Sequence, residues 1–186
     1  MKKKYPVIGL TGAAGCGKDT AADILREKHR FLKLSFAEPL YDMVSIVTRT
    51  PVEVLKTRAG KEVTLDRIGV SPRKMLQTLG TEWGRELVSP DIWIKNLDGR
   101  LSAIDSRVGI LGLVVPDVRF QNEVDYIHEL GGEVWRIDRP NNPNAISSGH
   151  SSELPPLGVD ELIVNIGSLE EFQKLVLLKF VDYLGV

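Results

Sequence analysis

A chain of 186 residues, 42% of them hydrophobic, is long enough to bury a core as one domain with room for a small inserted lobe. Its formal net charge of −1 excludes a global basic field for nucleic acid, and its single cysteine excludes an intramolecular disulfide or a cysteine-based zinc site. The basic start from Lys2 to Lys4 is short, and the apolar stretch behind it breaks at Gly9 and Gly12, so no signal peptide or membrane span fits and the cytoplasm is the expected compartment.

Short apolar runs then alternate with helix-length amphipathic segments, the pattern of an α/β protein with a parallel sheet. Val7 to Thr11 predicts the first strand; a glycine-rich turn follows, and then a helix from about Lys18 to His29. Phe31 to Phe36 predicts a second strand. Pro39 suits the first turn of a helix, and Leu40, Met43, Val44 and Val47 share one helical face. Lys56 to Ser71 is polar and without clear periodicity. Pro72 opens a helical stretch through Met75, Leu76, Leu79 and Trp83, and Ile94, Leu97, Leu101 and Ile104 mark another. The continuous apolar run from Gly109 to Val115 predicts a strand buried on both faces, ending in Pro116-Asp117. A helix from about Asn122 to Leu130 stops at Gly131-Gly132, Glu133 to Ile137 predicts the fourth strand, and Asp138 to Pro156 reads as loop. Leu162 to Ile166 predicts the fifth strand, and Ser168 with Glu171 forms a capping-box pattern for the last helix.

The strongest motif is Gly12-Ala13-Ala14-Gly15-Cys16-Gly17-Lys18-Asp19-Thr20, with G-x-x-x-x-G-K spacing between a predicted strand and a predicted helix. Glycines let the backbone turn with its amides inward, and those amides and the helix N-terminus bind phosphate oxygens. Lys18 reaches the β- and γ-phosphates. Asp19 stands where a Ser or Thr usually contacts Mg²⁺. Asp19 either holds the ion, through its carboxylate or a water, or is simply an acid favoured at a helix N-terminus. Thr20 donates to a phosphate, with capping of the helix as the alternative, and whether it or Asp19 contacts the metal stays open. Cys16 reads as a small residue that fits the loop, with a thiol acidified by neighbouring amides and Lys18 as the alternative.

Asp117 ends a buried strand, where an acid in a phosphate-loop fold orders the Mg²⁺ shell; the plainer reading is a turn aspartate. A phosphate acceptor needs positioning and charge neutralisation, and arginine suits it because its planar fork binds two oxygens at once. Arg58, Arg73, Arg85, Arg119 and Arg139 are the candidates, although any single one reads more simply as a solvated surface residue. His150, before Ser151-Ser152-Glu153, reads first as a loop hydrogen-bonder.

Five stretches together resemble the deoxynucleoside monophosphate kinases of tailed bacteriophages, within the nucleoside monophosphate kinase branch of P-loop proteins. They are Gly12 to Thr20; Leu34-Ser35-Phe36-Ala37 with Pro39-Leu40; Leu76-Gln77-Thr78-Leu79-Gly80-Thr81-Glu82 through Arg85; Asp117-Val118-Arg119-Phe120 with Asn122-Glu123; and His150-Ser151 with Glu153. Asn165 to Glu171 is also similar to the last strand and helix of dephospho-coenzyme A kinases. The resemblance implies a three-layer α/β/α core on a five-stranded parallel sheet, an acceptor-binding lobe over about 37–108 and a lid over about 139–156. It implies ATP as donor, Mg²⁺ as cofactor and a deoxynucleoside monophosphate as acceptor, with no nucleic acid or membrane partner; a homodimer stays open, and a phage-encoded chain would work in the host cytoplasm. Carried over by position, Lys18 and Thr20 hold donor phosphates, Asp117 orders the metal, and Arg119 and Arg85 hold the acceptor phosphate. Gln77 and Trp83 lie near the acceptor base, with a plain core role for Trp83 equally open. Arg139, at the root of the lid, supplies charge to the transferring group. Ser35, Phe36, Arg73, His150 and Glu153 complete the acceptor set. The rivals are a kinase of a dephospho-coenzyme A-like metabolite and a P-loop nucleotide sensor without an acceptor.

Overall fold

The computed structural model describes residues 3–105, 109–142 and 157–185. The chain divides into two compact units, residues 1–35 with 99–186, and residues 36–98.

In the first unit, strand β1 (Val7–Thr11) is buried along its whole length, so it must be covered on both faces. It sits at the centre of a sheet completed by β2 (Leu32–Lys33), β3 (Leu113–Val115), β4 (Glu133–Asp138) and β5 (Glu161–Val164), in the order β2-β3-β1-β4-β5. Every pairing is parallel, with Ile8 opposite Val114 on one side and Glu133 on the other. Parallel neighbours need crossover connections, and helices of this unit supply the layers. Helices α1 (Lys18–His29) and α8 (Leu169–Leu184) cover one face: Ile8, Leu10, Trp135 and Ile137 of the strands join Ala21, Ile24 and Leu25 of α1 and Phe172, Val176 and Phe180 of α8 in one apolar cluster. Gly9 points the other way, toward Ile127 of α7 (Gln121–Glu129). The result is the expected α/β fold with a five-stranded parallel sheet.

The second and third predicted strands are longer than the observed ones, and the fifth, expected over Leu162 to Ile166, covers Glu161–Val164 because its pairing with β4 ends at Asp138 opposite Val164. The second covers two residues instead of Phe31 to Phe36, although the Leu32 and Leu34 amides still bond to the Gly112 and Val114 carbonyls. The third begins at Leu113, because Leu111 is exposed and an apolar run alone cannot tell buried strand from approach loop. The last helix has both halves of its capping box, Glu171 amide to Ser168 Oγ at 3.2 Å and Ser168 amide to Glu171 Oε2 at 2.7 Å.

The second unit is helical. Helix α2 (Glu38–Thr48) buries Leu40 and Val44, but Val47 is exposed rather than part of that face. The polar stretch that lacked periodicity contains α4 (Arg58–Glu62), preceded by α3 (Val52–Lys56). They are single turns, too short to show a period, and the Thr57 hydroxyl caps the second by accepting from the Gly60 amide at 3.0 Å. Helix α5 (Pro72–Thr78) is capped by Ser71 and passes directly into a π-helical segment, Leu79–Val88. The indole of Trp93, near the start of α6 (Ile92–Asp105), packs on Gly84 and donates to the Gly80 carbonyl at 2.8 Å. That bond draws on a carbonyl within the widened turns, a feature that in helices often marks functional segments. No described helix is long and apolar enough to cross a membrane.

Candidate active site

Because all five strands run the same way, the segments that follow β1, β3, β4 and β5 gather along one edge of the sheet, where ligands of open α/β folds bind. The segment after β1 is the glycine loop. Gly12 has φ +136°, and a Cβ there would collide with the Ile137 carbonyl oxygen and lie 2.9 Å from Cys16 Sγ. Only glycine tolerates both the angle and the approach. Gly17, at the N-terminus of α1, is also left-handed and has no side chain to cap the helix, so no cap of its own occupies the first amides of α1.

Lys18 folds back over this loop. Its ammonium donates to the Gly12 and Ala13 carbonyls at 2.7 and 2.8 Å and lies 3.8 Å from Cys16 Sγ. Burial pushes its pKa below the ordinary lysine value; the Arg119 guanidinium adds to that, while the Cys16 sulfur and Asp19 oppose it. Lys18 and Arg119 therefore share one electrostatic locus, suited to a highly charged anion. Cys16 itself is 1% exposed and packs in the core cluster.

The turn after β3 is held from three sides. The Val118 amide bonds to the Leu10 carbonyl at 3.1 Å, keeping Asp117 beside the glycine loop. Ser35 Oγ donates to Asp117 Oδ2 at 2.7 Å, and Arg100 donates to the Ser35 carbonyl at 3.3 Å. Glu123, 1% exposed, accepts from the Arg119 and Phe120 amides at 2.7 and 3.0 Å, so a buried carboxylate shapes the backbone that presents Arg119. Lys33, at the end of β2, bridges Asp19 and Asp23 at 3.2 Å each.

Beside the loop lies an open cleft of about 280 Å³ lined by Gly15, Gly17, Lys18, Asp19, Thr20, Arg139, Asn165, Gly167, Leu169 and Phe172. It unites polar groups around the glycine loop with an apolar wall from the start of α8. Loop, Lys18, Asp19, Thr20 and Arg139 thus share one site, and Asp117 and Arg119 lie on the adjoining turn.

The other predicted acceptor residues divide between the two units. Ser35 belongs to the first unit and bonds to Asp117. Phe36, Arg73, Gln77, Trp83 and Arg85 belong to the second unit. There Phe36 is buried, Gln77 is half-buried on α5, Arg73 pairs with Glu62 at 2.6 Å, and Arg85 donates to the Pro90 carbonyl at 3.1 Å. Trp83 is 38% exposed, with its ring 6.3 Å from that of Trp93. His150, Glu153 and most of the predicted lid lie outside the described residues. Sequence reasoning missed Lys33, Arg100, Asn142 and Asn165 as neighbours of the loop and its turn. The only signal was Asn165 in its Asn-Ile-Gly-Ser stretch, read there for family likeness alone.

Comparison with known proteins adds an independent line. The profile of the deoxynucleotide monophosphate kinase family matches residues 48–176. A protein of Acanthamoeba polyphaga mimivirus named as a deoxynucleotide monophosphate kinase is 36% identical over 180 residues, covering 89% of this chain and 91% of its own. The deoxynucleoside-5'-monophosphate kinase of Escherichia phage T5 is 28% identical, covering 66% of this chain and 72% of its own. Among solved structures, shikimate kinase from Aquifex aeolicus superimposes with a TM-score of 0.53 at 17% identity, covering 97% of this chain and 99% of its own. TT1252 from Thermus thermophilus does so with a TM-score of 0.54 at 16% identity, covering 97% and 98%. The structural matches speak to the fold alone.

Proposed function

The chain belongs to the deoxynucleotide monophosphate kinase family, and from that premise we propose the roles of its residues in moving the ATP γ-phosphoryl to a deoxynucleoside monophosphate. The enzyme is an ATP-dependent nucleotide kinase, and its products are a deoxynucleoside diphosphate and ADP. The observation that carries the assignment of roles is the glycine loop with Lys18, set against a cleft that also contains Arg139.

In this reading the loop amides and the N-terminus of α1 bind the donor phosphates, and Lys18 exchanges its loop carbonyls for phosphate oxygens. The base and sugar of the donor rest on the wall formed by Gly167, Leu169 and Phe172. Arg119 and Arg85 neutralise the acceptor phosphate, Arg139 faces the transferring group, and Gln77 and Trp83 meet the acceptor base. Ser35 acts through Asp117, to which it donates, and Phe36 acts from the core; Arg73, His150 and Glu153 complete the acceptor set. Transfer is in line and needs no covalent intermediate, so the protein's contribution is positioning and positive charge.

Asp117, Asp19 and Thr20 offer hard oxygen donors, the kind that suits Mg²⁺, which in such sites takes one or two carboxylates beside substrate phosphates and waters. Asp117 would hold the ion with Thr20 or Asp19, and the ion would supply neutralisation of charge on the phosphates. The carboxylate of Asp117 is kept in place by Ser35 and the Asp19 carboxylate by Lys33, so both are oriented by the protein itself.

The test is ATP consumption against every deoxynucleoside and ribonucleoside monophosphate. Acceptor-dependent formation of the diphosphate is expected with at least one deoxynucleotide. ATP hydrolysis that no acceptor stimulates, or phosphorylation of dephospho-coenzyme A alone, would refute the proposal.

A further inference from the structure

Phosphate loops bind through amides, and amides face a ligand only while the intervening carbonyls are turned away and kept there. Side chains bind four of the carbonyls here. Lys18 takes those of Gly12 and Ala13, Asn142 Nδ2 takes that of Ala14 at 2.7 Å, and Asn165 Nδ2 takes that of Cys16 at 2.8 Å. These bonds differ in kind. The two from Lys18 are given up if its ammonium moves to phosphate, and the one from Asn142 is exposed to solvent. The bond from Asn165 is buried.

Asn165 is also anchored more firmly than a loop residue. Its own amide donates to the Asp138 carbonyl at 2.7 Å, extending the β4–β5 ladder one residue beyond β5. Its side chain therefore projects from the sheet, and rigid elements hold a constellation more accurately than loops do. A Cβ at Gly17 would lie 2.9 Å from Asn165 Nδ2 and 3.2 Å from the Phe172 ring, so the amide and the ring press directly on the turn into α1.

We propose that Asn165 is a positioning residue for the phosphate loop, fixing the Cys16 carbonyl outward from the end of β5 so that the Gly17 amide, in the same peptide plane, stays open to phosphate. This rests on the reading of the loop as the donor-phosphate site. The residue type follows from the geometry: a carboxylate of the same shape would repel the Cys16 carbonyl, and a leucine of similar bulk would leave it buried without a donor. Losing one partner of a buried hydrogen bond costs more than the bond's net contribution, because the remaining group keeps its desolvation penalty.

The experiment uses the full-length chain and inorganic pyrophosphate, which probes the loop without the base wall. Asn165→Leu keeps bulk and loses the donor; Asn165→Ala loses both; Asn165→Ser is small and can still donate. Pyrophosphate affinity, KM for ATP, KM for the acceptor and thermal melting are measured for each. Leu and Ala should weaken pyrophosphate binding about tenfold and raise KM for ATP in parallel, with KM for the acceptor unchanged. Ser should retain more affinity than Ala. Wild-type affinity in a folded Leu variant would overturn the proposal, since bulk alone would then suffice. Lowered melting with unchanged affinity in a folded Leu or Ala variant would overturn it as well. If Leu does not fold, equal affinities in Ser and Ala decide against it. A wild-type chain that binds pyrophosphate but phosphorylates no deoxynucleotide would refute the kinase reading and leave the loop comparison valid.

Discussion

Replacing Gly12 by alanine adds one methyl group where the chain leaves β1. Two effects follow. The backbone is held at φ +136°, so the alanine is strained by about 1–3 kcal/mol if it stays there. The new Cβ would also fall inside contact distance of the Ile137 carbonyl oxygen and 2.9 Å from Cys16 Sγ, closer than real Cβ atoms approach. That carbonyl belongs to β4, buried and paired on both sides, so the glycine loop must yield rather than the sheet. A loop displaced by about 1 Å carries its amides out of register with the phosphates, and misplacement on that scale lowers turnover about 100-fold. Steady-state ADP production with ATP and a deoxynucleoside monophosphate measures the loss, and urea unfolding measures the strain. Gly99→Ala is the internal control. A Cβ there meets nothing within 4 Å in the interior of α6, so it should leave activity unchanged and stabilise by about 0.5–1 kcal/mol. Gly12→Ala with wild-type kcat/KM and stability would refute the close approach on which the loop geometry depends.

Lys18→Ala should fold normally and lose at least about 100-fold in phosphoryl transfer, checked by circular dichroism and turnover. Burial lowers the Lys18 pKa, so its charge is lost as pH rises through a value below 10.5, and the alkaline limb of the activity profile should fall there; an unchanged limb near 10.5 contradicts this. Asp117→Asn should weaken Mg²⁺-dependent turnover more than metal-free nucleotide binding, and an unaltered Mg²⁺ dependence would make Asp117 a turn residue whose bond to Ser35 is purely structural. Glu123→Ala removes the acceptor of the Arg119 and Phe120 amides and should destabilise by about 2–4 kcal/mol in urea unfolding; a loss within experimental error would show that water replaces the carboxylate. Tyr5 is pushed from 10.0 to about 12, by burial first and then by the charge and hydrogen bond of Asp105. The unfolded chain therefore releases this proton first, and stability falls as pH rises from 10 toward 12. Tyr5→Phe should lose less stability over that interval, and parallel curves for the two proteins would contradict the shift.

Residues 7–29 were legible almost to the residue, with β1 at Val7–Thr11 and α1 at Lys18–His29. A five-residue apolar strand, a glycine loop and a helix are local patterns, each defined by residues adjacent in the chain. The last helix was legible for the same reason, since its Ser168–Glu171 box spans a single turn. Strand lengths were less so: β2 shrank to Leu32–Lys33 and β3 to Leu113–Val115, because pairing ends where a neighbour ends, and the neighbour is some eighty residues away. Helices α3 and α4 escaped notice because one turn cannot display a period of 3.6 residues.

For the candidate site, the sequence by itself named the groups on which the proposal rests: a glycine loop with Lys18 at its helix, and an acid and an arginine, Asp117 and Arg119, behind a buried strand. Only the tertiary structure decided what supports them. Ser35 on Asp117 joins residues 82 apart in the chain, Asn142 on Ala14 joins residues 128 apart, and Asn165 on Cys16 joins residues 149 apart. No spacing rule reaches across such separations. Motifs record groups that must be neighbours along the chain to bind one ligand, whereas the bonds that hold them form between strand ends that meet only when the sheet assembles in the order β2-β3-β1-β4-β5.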